Sequence, residues 1–458
     1  MPRLSVRHLL VLVPILGAAV GAVRPITDNS FLWHVRAGTL QLDQGEVLRA
    51  DPFSWSTGGA PWRTQSWLAE LGYGWAERIT GNLSWVGPMM AVVAIALFGL
   101  LGLIAFRETR RLLPTAGLLS GALLLALPFL NPRPALFSYL GLALLVVVLA
   151  APARLAWTAP LLIWVWAGLH GSFVVGLGLL ALNAIRQRRR PAWELLAASV
   201  IAASLTAHGI GIWSVLGEFA GSRQALGFIR EWATPNLLAP VHLPFLALLA
   251  GVLLAAQAGR LGKAEVVGAF GFFAFGAASV RNLVPAAILL APLAARAVPP
   301  LRRAVRPSPI KLGWAIGLLM VGTTGMLVSQ RMPLLPSSAT FPVEASQHLN
   351  GDRVFHDDAA GGYLIYAYGP DRQVFIDDRA ELYGGVFYSD FVDMRGAVPA
   401  AGEKFASFGF QQALVRPSMA ITGQLRCAGW TTSYQDGDWL VLEAPGAQGN
   451  GSSDLCTL

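Results

Sequence analysis

The sequence predicts a mainly α, polytopic membrane helical bundle that carries a small C-terminal extracytoplasmic α/β domain. Three observations lead there. Of 458 residues, 54% are hydrophobic and 13% charged, with a mean hydropathy of +0.54. Soluble domains carry roughly a quarter charged residues. Long apolar runs recur through the first 330 residues, as membrane-spanning helices require. Beyond that point the runs shorten to strand length, and Gly, Asp and Pro punctuate them.

The net charge of +8 does not point to nucleic acid. The basic residues sit in short clusters beside apolar runs, as the positive-inside rule asks. Two cysteines, Cys427 and Cys456, occur near the C-terminus with no Cys-x-x-Cys spacing. Placed outside the cytoplasm they either pair or remain free thiols.

Spans are expected near 8–24, 83–106, 112–130, 135–151, 191–212, 241–258, 264–280, 283–298 and 311–329. The first has a basic start, but Pro25 and Asp28 follow it without a small-residue cleavage site, so it reads as a retained span. The stretch 156–182 is apolar but interrupted by His170-Gly171-Ser172, with arginines at both ends. It reads as two short helices that enter and return, since irregular backbone at membrane depth is tolerated only inside protein or beside a cavity. That makes about eleven spans, and the basic clusters then alternate. Arg3 and Arg7, Arg107–Arg111, Arg154, Arg186–Arg190, Arg260 with Lys263, and Arg302–Lys311 face the cytoplasm. The long loop 25–82, the turn Asn131–Pro134, the loop 213–240, Arg281-Asn282 and the C-terminal region fall outside. The expected location is therefore the cytoplasmic (inner) membrane, N-terminus inside and C-terminal domain outside. The expected domains are 1–330 in the membrane, with loop 25–82 as its first outer loop, then 331–446 as the α/β domain and 447–458 as a disordered tail. Strands are expected at Arg353–His356, Tyr363–Tyr366, Gln373–Asp377, Gln412–Val415 and Trp439–Leu442.

The loop 25–82 is the densest candidate for chemistry. A connector needs only a few residues, yet this one is rich in carboxylates, arginines and tryptophans. Asp28 lies just past the first span, where a carboxylate can act as general base on an acceptor hydroxyl or cap a short helix through Trp33. His34 can meet a phosphate, orient a carboxylate, or simply stack on Trp33. Asp51, before Pro52, is either catalytic or part of a turn. Glu70 lies on an amphipathic stretch, Trp62–Trp75, and is either catalytic or a solvated charge. His170, Arg230 and Arg281 interrupt or flank apolar runs and are candidates for a donor phosphate and its lipid. Ionisable groups at membrane depth tend to be functional, and a guanidinium suits phosphate by bidentate bonding. In the outer domain, Tyr363, Asp377, Asp378, Arg379 and Glu381 form a candidate acceptor or outer-domain site on and beside a strand. Neither a Gly-x-x-x-x-Gly-Lys-Ser/Thr phosphate loop nor a Gly-x-Ser-x-Gly elbow is present.

Taken in order, Asp28…Trp33-His34-x-x-x-Gly38, Asp51-Pro52-Phe53-Ser54, Gln65-Ser66-Trp67-Leu68, Leu169-His170-Gly171, Glu231-Trp232, Arg281-Asn282, Gly361-Gly362-Tyr363-Leu364 and Ile376–Gly384 cover most of the chain. This ordered set resembles a group of bacterial multi-spanning proteins placed with the GT-C glycosyltransferases. The resemblance implies transfer of a sugar from a polyprenyl-phosphate donor to a glycan, lipid or protein acceptor on the outer membrane face. It implies inversion at the anomeric carbon, with Asp28 as the base. A second acidic residue directly beside Asp28 is lacking, so no cofactor is certain and a divalent metal stays possible. Two rival classes remain: a transporter or flippase, for which no internal repeat is evident, and a non-catalytic protein of envelope polysaccharide assembly. The expected partners are the lipid-linked donor, an acceptor and the bilayer, and no nucleic acid.

Overall fold

A computed structural model describes residues 6–214, 217, 230–299, 313–329 and 336–446. The described chain is mostly helical with a small C-terminal sheet. The longer helices are α1 (Val6–Ala22), α2 (Asn29–Gln44), α3 (Trp67–Thr80), α4 (Val86–Thr109), α5 (Leu112–Ala126), α6 (Ala135–Leu149), α7 (Ala159–Leu169) and α8 (Phe173–Gln187). They continue with α9 (Arg190–Ser204), α10 (Leu243–Gln257), α11 (Lys263–Ala278), α12 (Leu283–Ala295), α13 (Gly313–Ser329), α14 (Asp358–Tyr368) and α15 (Ala380–Arg395). The strands are β1 (Val354–His356), β2 (Gln412–Val415), β3 (Thr431–Gln435) and β4 (Leu440–Glu443).

The chain divides into two compact units. One comprises 1–24, 82–212 and 229–334; the other comprises 25–81, 213–228 and 335–458. The division differs from the sequence reading: loop 25–82 was expected with the membrane domain, yet it forms one unit with the C-terminal region.

In the first unit every expected apolar segment contains a helix. Among the described residues three stretches, Leu83–Thr109, Leu112–Phe129 and Pro240–Gln257, are long and apolar enough to cross a membrane, and shorter apolar helices accompany them. The break expected at His170 is present: α7 stops at Leu169, His170 is extended, and α8 starts at Phe173. Trp166 fills the space between α6 and α8, where a Cβ on Gly141 or Gly176 would come within 2.9 or 2.7 Å of its ring. Only glycine permits that approach.

Polar contacts gather the helix ends into two groups. Arg296, just past α12, pairs with Glu108 on α4 and Glu265 on α11 at 2.8 Å each, and Arg186 on α8 lies 3.5 Å from Glu265. Arg260, past α10, donates to the Arg296 and Ala297 carbonyls. At the other ends of α11 and α12, the Ser279 hydroxyl donates to the Glu231 carbonyl, and the Val280 amide donates to Ala233. Arg133, before α6, pairs with Glu231 at 2.8 Å. Arg24, past α1, donates to the Leu130 carbonyl and the Asn131 side chain. The basic cluster Arg302–Lys311 lies outside the described residues, as do Arg3 and half of loop 213–240.

In the second unit, 25–81 is two packed helices, not an open loop. α2 and α3 cross at Gly38 and Gly74: a Cβ on Gly38 would lie 1.8 Å from the Glu70 carbonyl oxygen, and one on Gly74 would lie 2.4 Å from Gly38 C. α14 lies against α2, where Gly362 leaves room for Asn29. The sheet has the order β1-β2-β4-β3, with β1 and β2 parallel and the others antiparallel.

Three expected strands match β1, β2 and β4, and two do not. Tyr363–Tyr366 lies inside α14, whose N-cap Asp357 accepts the Ala359 amide. Gln373–Asp377 joins no ladder among the described residues. Val374 pairs instead with the first loop, its amide donating to the Phe53 carbonyl and its carbonyl accepting from Trp55. The backbone groups of Val374 find their partner 320 residues away in sequence. β3, largely exposed and polar, was not foreseen. Cys427 is disulfide-bonded. Cys456 and the rest of the expected tail, 447–458, lie outside the described residues.

Candidate functional site

Nine of the twelve singled-out residues fall in the second unit: Asp28, His34, Asp51, Glu70, Tyr363, Asp377, Asp378, Arg379 and Glu381. They form three linked groups around α2.

The first group sits on the inner face of α2. Asp28 is its N-cap: Oδ1 accepts the Phe31 amide at 3.1 Å, and the residue is 7% exposed. Capping fixes the carboxylate rotamer and places its charge at the positive end of a helix. Six residues on, His34 Nδ1 lies 2.8 Å from Glu70 Oε1. Glu70 is fully buried, with Gln41 Nε2 donating to Oε2 at 2.7 Å and the Thr64 hydroxyl donating to Oε1. A carboxylate on Nδ1 leaves Nε2 of a neutral ring as the basic nitrogen. The His34 ring also lies tilted against Trp33, ring centroids 3.6 Å apart. Tyr73, not singled out by sequence, is buried beside both acids. Its phenol is pushed well up by burial and then by the charges of Asp28 and Glu70.

The second group is a buried ionic knot. Arg379 donates from Nε and Nη2 to the two Asp377 oxygens at 2.8 and 2.6 Å, and from Nη1 to Asp51 Oδ1 at 2.8 Å. Its Nη2 also reaches the Ser54 hydroxyl at 3.0 Å, and its guanidinium lies 4.5 Å from the Trp62 ring centroid. Asp51 further accepts the Phe53 and Ser54 amides and the Thr57 hydroxyl. Burial pushes the Asp51 carboxyl up, but the Arg379 charge and these donors outweigh it and hold it below the usual carboxylate range. Tyr383 donates to Asp377 at 2.9 Å. Both oxygens of Asp51 and of Asp377 are taken by protein donors, so the pair anchors the fold.

The third group lies at the first turn of α2. Trp33 Nε1 donates to Asp378 Oδ1 at 2.8 Å, and the Ser30 hydroxyl donates to Oδ2. Asn29 receives the Gly362 amide at 2.7 Å and donates to the Asp358 carbonyl at 2.9 Å. Glu381, at the start of α15, has its carboxyl pushed up to about 7 by burial, with Asp377 and Asp378 adding to it against Arg379. That places it where a proton donor or acceptor is effective near neutrality. Asp357 and Asp358 join this group unforeseen. Asp358 is pushed well up by burial and by Asp357, while Asp357 is held down, against its burial, by Asp358 and the Arg395 charge; Tyr388 donates to Asp358. Adjacent acids before a helix were the available signal, overshadowed by the longer string 376–384. Tyr363 is 8% exposed and stacks on Phe341.

His170 and Arg281 belong to the first unit. His170 Nδ1 accepts the Ser172 amide at 3.2 Å and lies 3.0 Å from the Ser138 hydroxyl, which also receives Trp166 Nε1. Arg281 lies 4.3 Å over the Trp232 ring. Tyr139, next to Ser138, sits in the field of Arg281, Glu231 and Arg133. Arg133, read only as part of a turn, is thus a second guanidinium at this end. Arg230 opens a short turn, and its side chain lies outside the described residues. An apolar cavity of about 160 Å3 lies among α4, α5, α10 and α12, lined by Leu97, Leu101, Leu248, Val284 and Ile288. Among the described residues no group of three or more His, Cys, Asp or Glu side chains is arranged to hold a metal ion.

No protein-family model matches the chain, and no curated protein matches it.

Proposed function

We propose that the chain is a membrane glycosyltransferase that moves a sugar from a polyprenyl-phosphate donor to an acceptor on the outer face of the inner membrane. The observation that carries this reading is the first turn of α2. Its cap is Asp28, its side chains hold Asp378, and one turn further it carries the His34–Glu70 pair. Acids from two distant stretches of sequence thus meet within one compact unit.

Outer-face transfer needs a lipid-linked donor, because nucleotide sugars do not cross membranes. It requires a base on the acceptor hydroxyl and cations opposite the charge that develops on the leaving phosphate. Asp28 takes the first role, and a cap bond that holds its rotamer supports this. Arg281, with His170 and the neighbouring Arg133, takes the second. The apolar cavity of the first unit has the lining, and at about 160 Å3 the size, for a short segment of a lipid tail. The grouping of helix ends in that unit supports the eleven-span reading. One group joins the turns bearing Arg186 and Arg260, assigned to the cytoplasm, through Arg296 at the end of α12, and the other collects Arg133, Glu231 and Arg281, assigned outside.

The test is transfer by the purified protein from a panel of polyprenyl-phosphate sugars to cell-envelope acceptors. Donor-dependent release of polyprenyl phosphate is expected. Its absence across the panel, with well-folded protein, argues for a transporter or an assembly protein.

A further inference from the structure

A second polar site lies at the other end of α2, away from the first-turn acids. It is a cleft of about 460 Å3, open to solvent and lined by Arg36, Thr39, Asp43, Glu77, Arg78 and Tyr366. That volume falls within the range of small-molecule sites.

The cleft holds two opposite charges that do not neutralise each other. Glu77 accepts the Tyr366 hydroxyl at Oε1, 2.6 Å, and the Thr39 hydroxyl at Oε2, 3.1 Å. Both donors are neutral, so the carboxylate is fixed in place while its charge has no ion-pair partner among the described residues. Arg36 donates from Nε to the Gly369 carbonyl, and this bond sets the plane of its guanidinium. Its two Nη groups donate to no protein acceptor among the described residues, and it too forms no ion pair there. Tyr366 lies in the field of both Arg36 and Glu77. At the rim, Arg78 and Asp43 pair with each other and so leave the inner charges unmatched.

An open guanidinium edge is the fork that binds carboxylate or phosphate by two parallel hydrogen bonds. A fixed carboxylate with hydroxyls beside it suits an ammonium. A simple anion would be attracted by Arg36 but repelled by Glu77, and a simple cation would meet the reverse. A neutral ligand would leave both charges uncompensated. We propose that this cleft binds a small zwitterion, its oxyanion on the Nη edge of Arg36 and its ammonium on Glu77. A free amino acid and a phosphoethanolamine headgroup share this chemistry. The proposal stands apart from the transferase reading, because it concerns equilibrium binding and not turnover.

The experiment is calorimetric titration of the full chain in detergent micelles. The ligands are L-alanine and D-alanine, phosphoethanolamine, the single-charge controls propionate and ethylamine, and maltotriose. At least one zwitterion is expected to bind 10-fold or more tightly than propionate, ethylamine and maltotriose. A preference for either alanine identifies an amino acid, and a preference for phosphoethanolamine identifies a lipid headgroup. Arg36→Gln and Glu77→Gln are each expected to weaken that zwitterion at least 10-fold, with thermal unfolding midpoints near that of the parent. Should Arg36→Gln fold poorly, Glu77→Gln and Arg36→Lys carry the test, since lysine keeps the charge and recovers part of the binding. The proposal is overturned if no zwitterion binds, if a single-charge or neutral ligand binds equally well, or if the folded Glu77 variant binds as the parent does.

Discussion

Arg379 Nη1 lies 2.8 Å from Asp51 Oδ1 across 328 positions of sequence, with both side chains fully buried. The same guanidinium grips both oxygens of Asp377. This knot ties the first long loop to the C-terminal domain and makes them one unit. Replacing Arg379 by Met leaves two buried carboxylates without a partner, and removing one member of a buried pair costs about 3–5 kcal/mol. Differential scanning fluorimetry of Arg379→Met should show a markedly lower midpoint. Arg379→Lys should recover only part of it, because an ammonium cannot serve Asp51, Ser54 and Asp377 together.

The same knot sets a sign for acid sensitivity. The Asp51 carboxyl is held below its ordinary value in the folded state. Its stabilisation is therefore fully present above the unfolded carboxylate pKa of about 3.9 and is lost as pH falls through the lower folded value. Unfolding midpoints should fall steeply below about pH 4. Asp51→Asn should be less stable than the parent at pH 7, and the gap should narrow as the pH approaches 3. A gap that is constant over that range would contradict the assignment.

Glu381 predicts the opposite slope. Its folded pKa is raised to about 7, so the folded state holds a proton that the unfolded chain has already released. Stability is greatest below the unfolded pKa of about 4.3 and declines as pH rises through about 7. Glu381→Gln should remove this decline and should be relatively more stable at pH 8 than at pH 5. Parallel profiles for parent and variant would remove Glu381 from the list of proton-handling groups.

The crossing of α2 and α3 rests on Gly38, where a Cβ would lie 1.8 Å from the Glu70 carbonyl oxygen. Backbone cannot yield as a flexible side chain does, and overpacking of this kind typically costs about 1–3 kcal/mol or more. Gly38→Ala should lower the unfolding midpoint and disturb the His34–Glu70 pair. An unchanged midpoint would mean that the helices separate freely here.

Much of this was legible in the sequence, for stated reasons. Apolar runs and basic clusters located the helices of the first unit, because burial in lipid demands one composition and its borders another. The break at His170 was readable from a polar triplet inside an apolar run. The capping alternative for Asp28 and the contact of His34 with Trp33 follow from local spacing. What escaped depends on distant partners. Glu70 had a solvated alternative because the stretch around it is amphipathic, yet Thr64, Gln41 and His34 enclose it completely. Asp51 and Arg379 each signal a turn or a site alone, and only folding makes them a pair. Gln373–Asp377 has strand composition, but its partner is Phe53–Trp55 in place of the sheet.

Topology has its own check. A periplasmic reporter enzyme fused after Gly446 should be active, and one fused after Arg190 inactive, as the alternating basic clusters require. Activity with the reverse pattern would overturn the eleven-span reading and the outer placement of the C-terminal domain.

The central claim is that Asp28 is a base as well as a cap, and Asp28→Asn separates the two roles. Asparagine caps helices about as well as aspartate but cannot take a proton from an acceptor hydroxyl. Sugar transfer from the polyprenyl-phosphate donor should therefore fall by about 100-fold or more, while the unfolding midpoint stays near that of the parent. Asp28→Ala, which loses the cap as well, should cost about a further 1 kcal/mol of stability. Near-normal transfer by well-folded Asp28→Asn would contradict the account and leave Asp28 a helix cap alone.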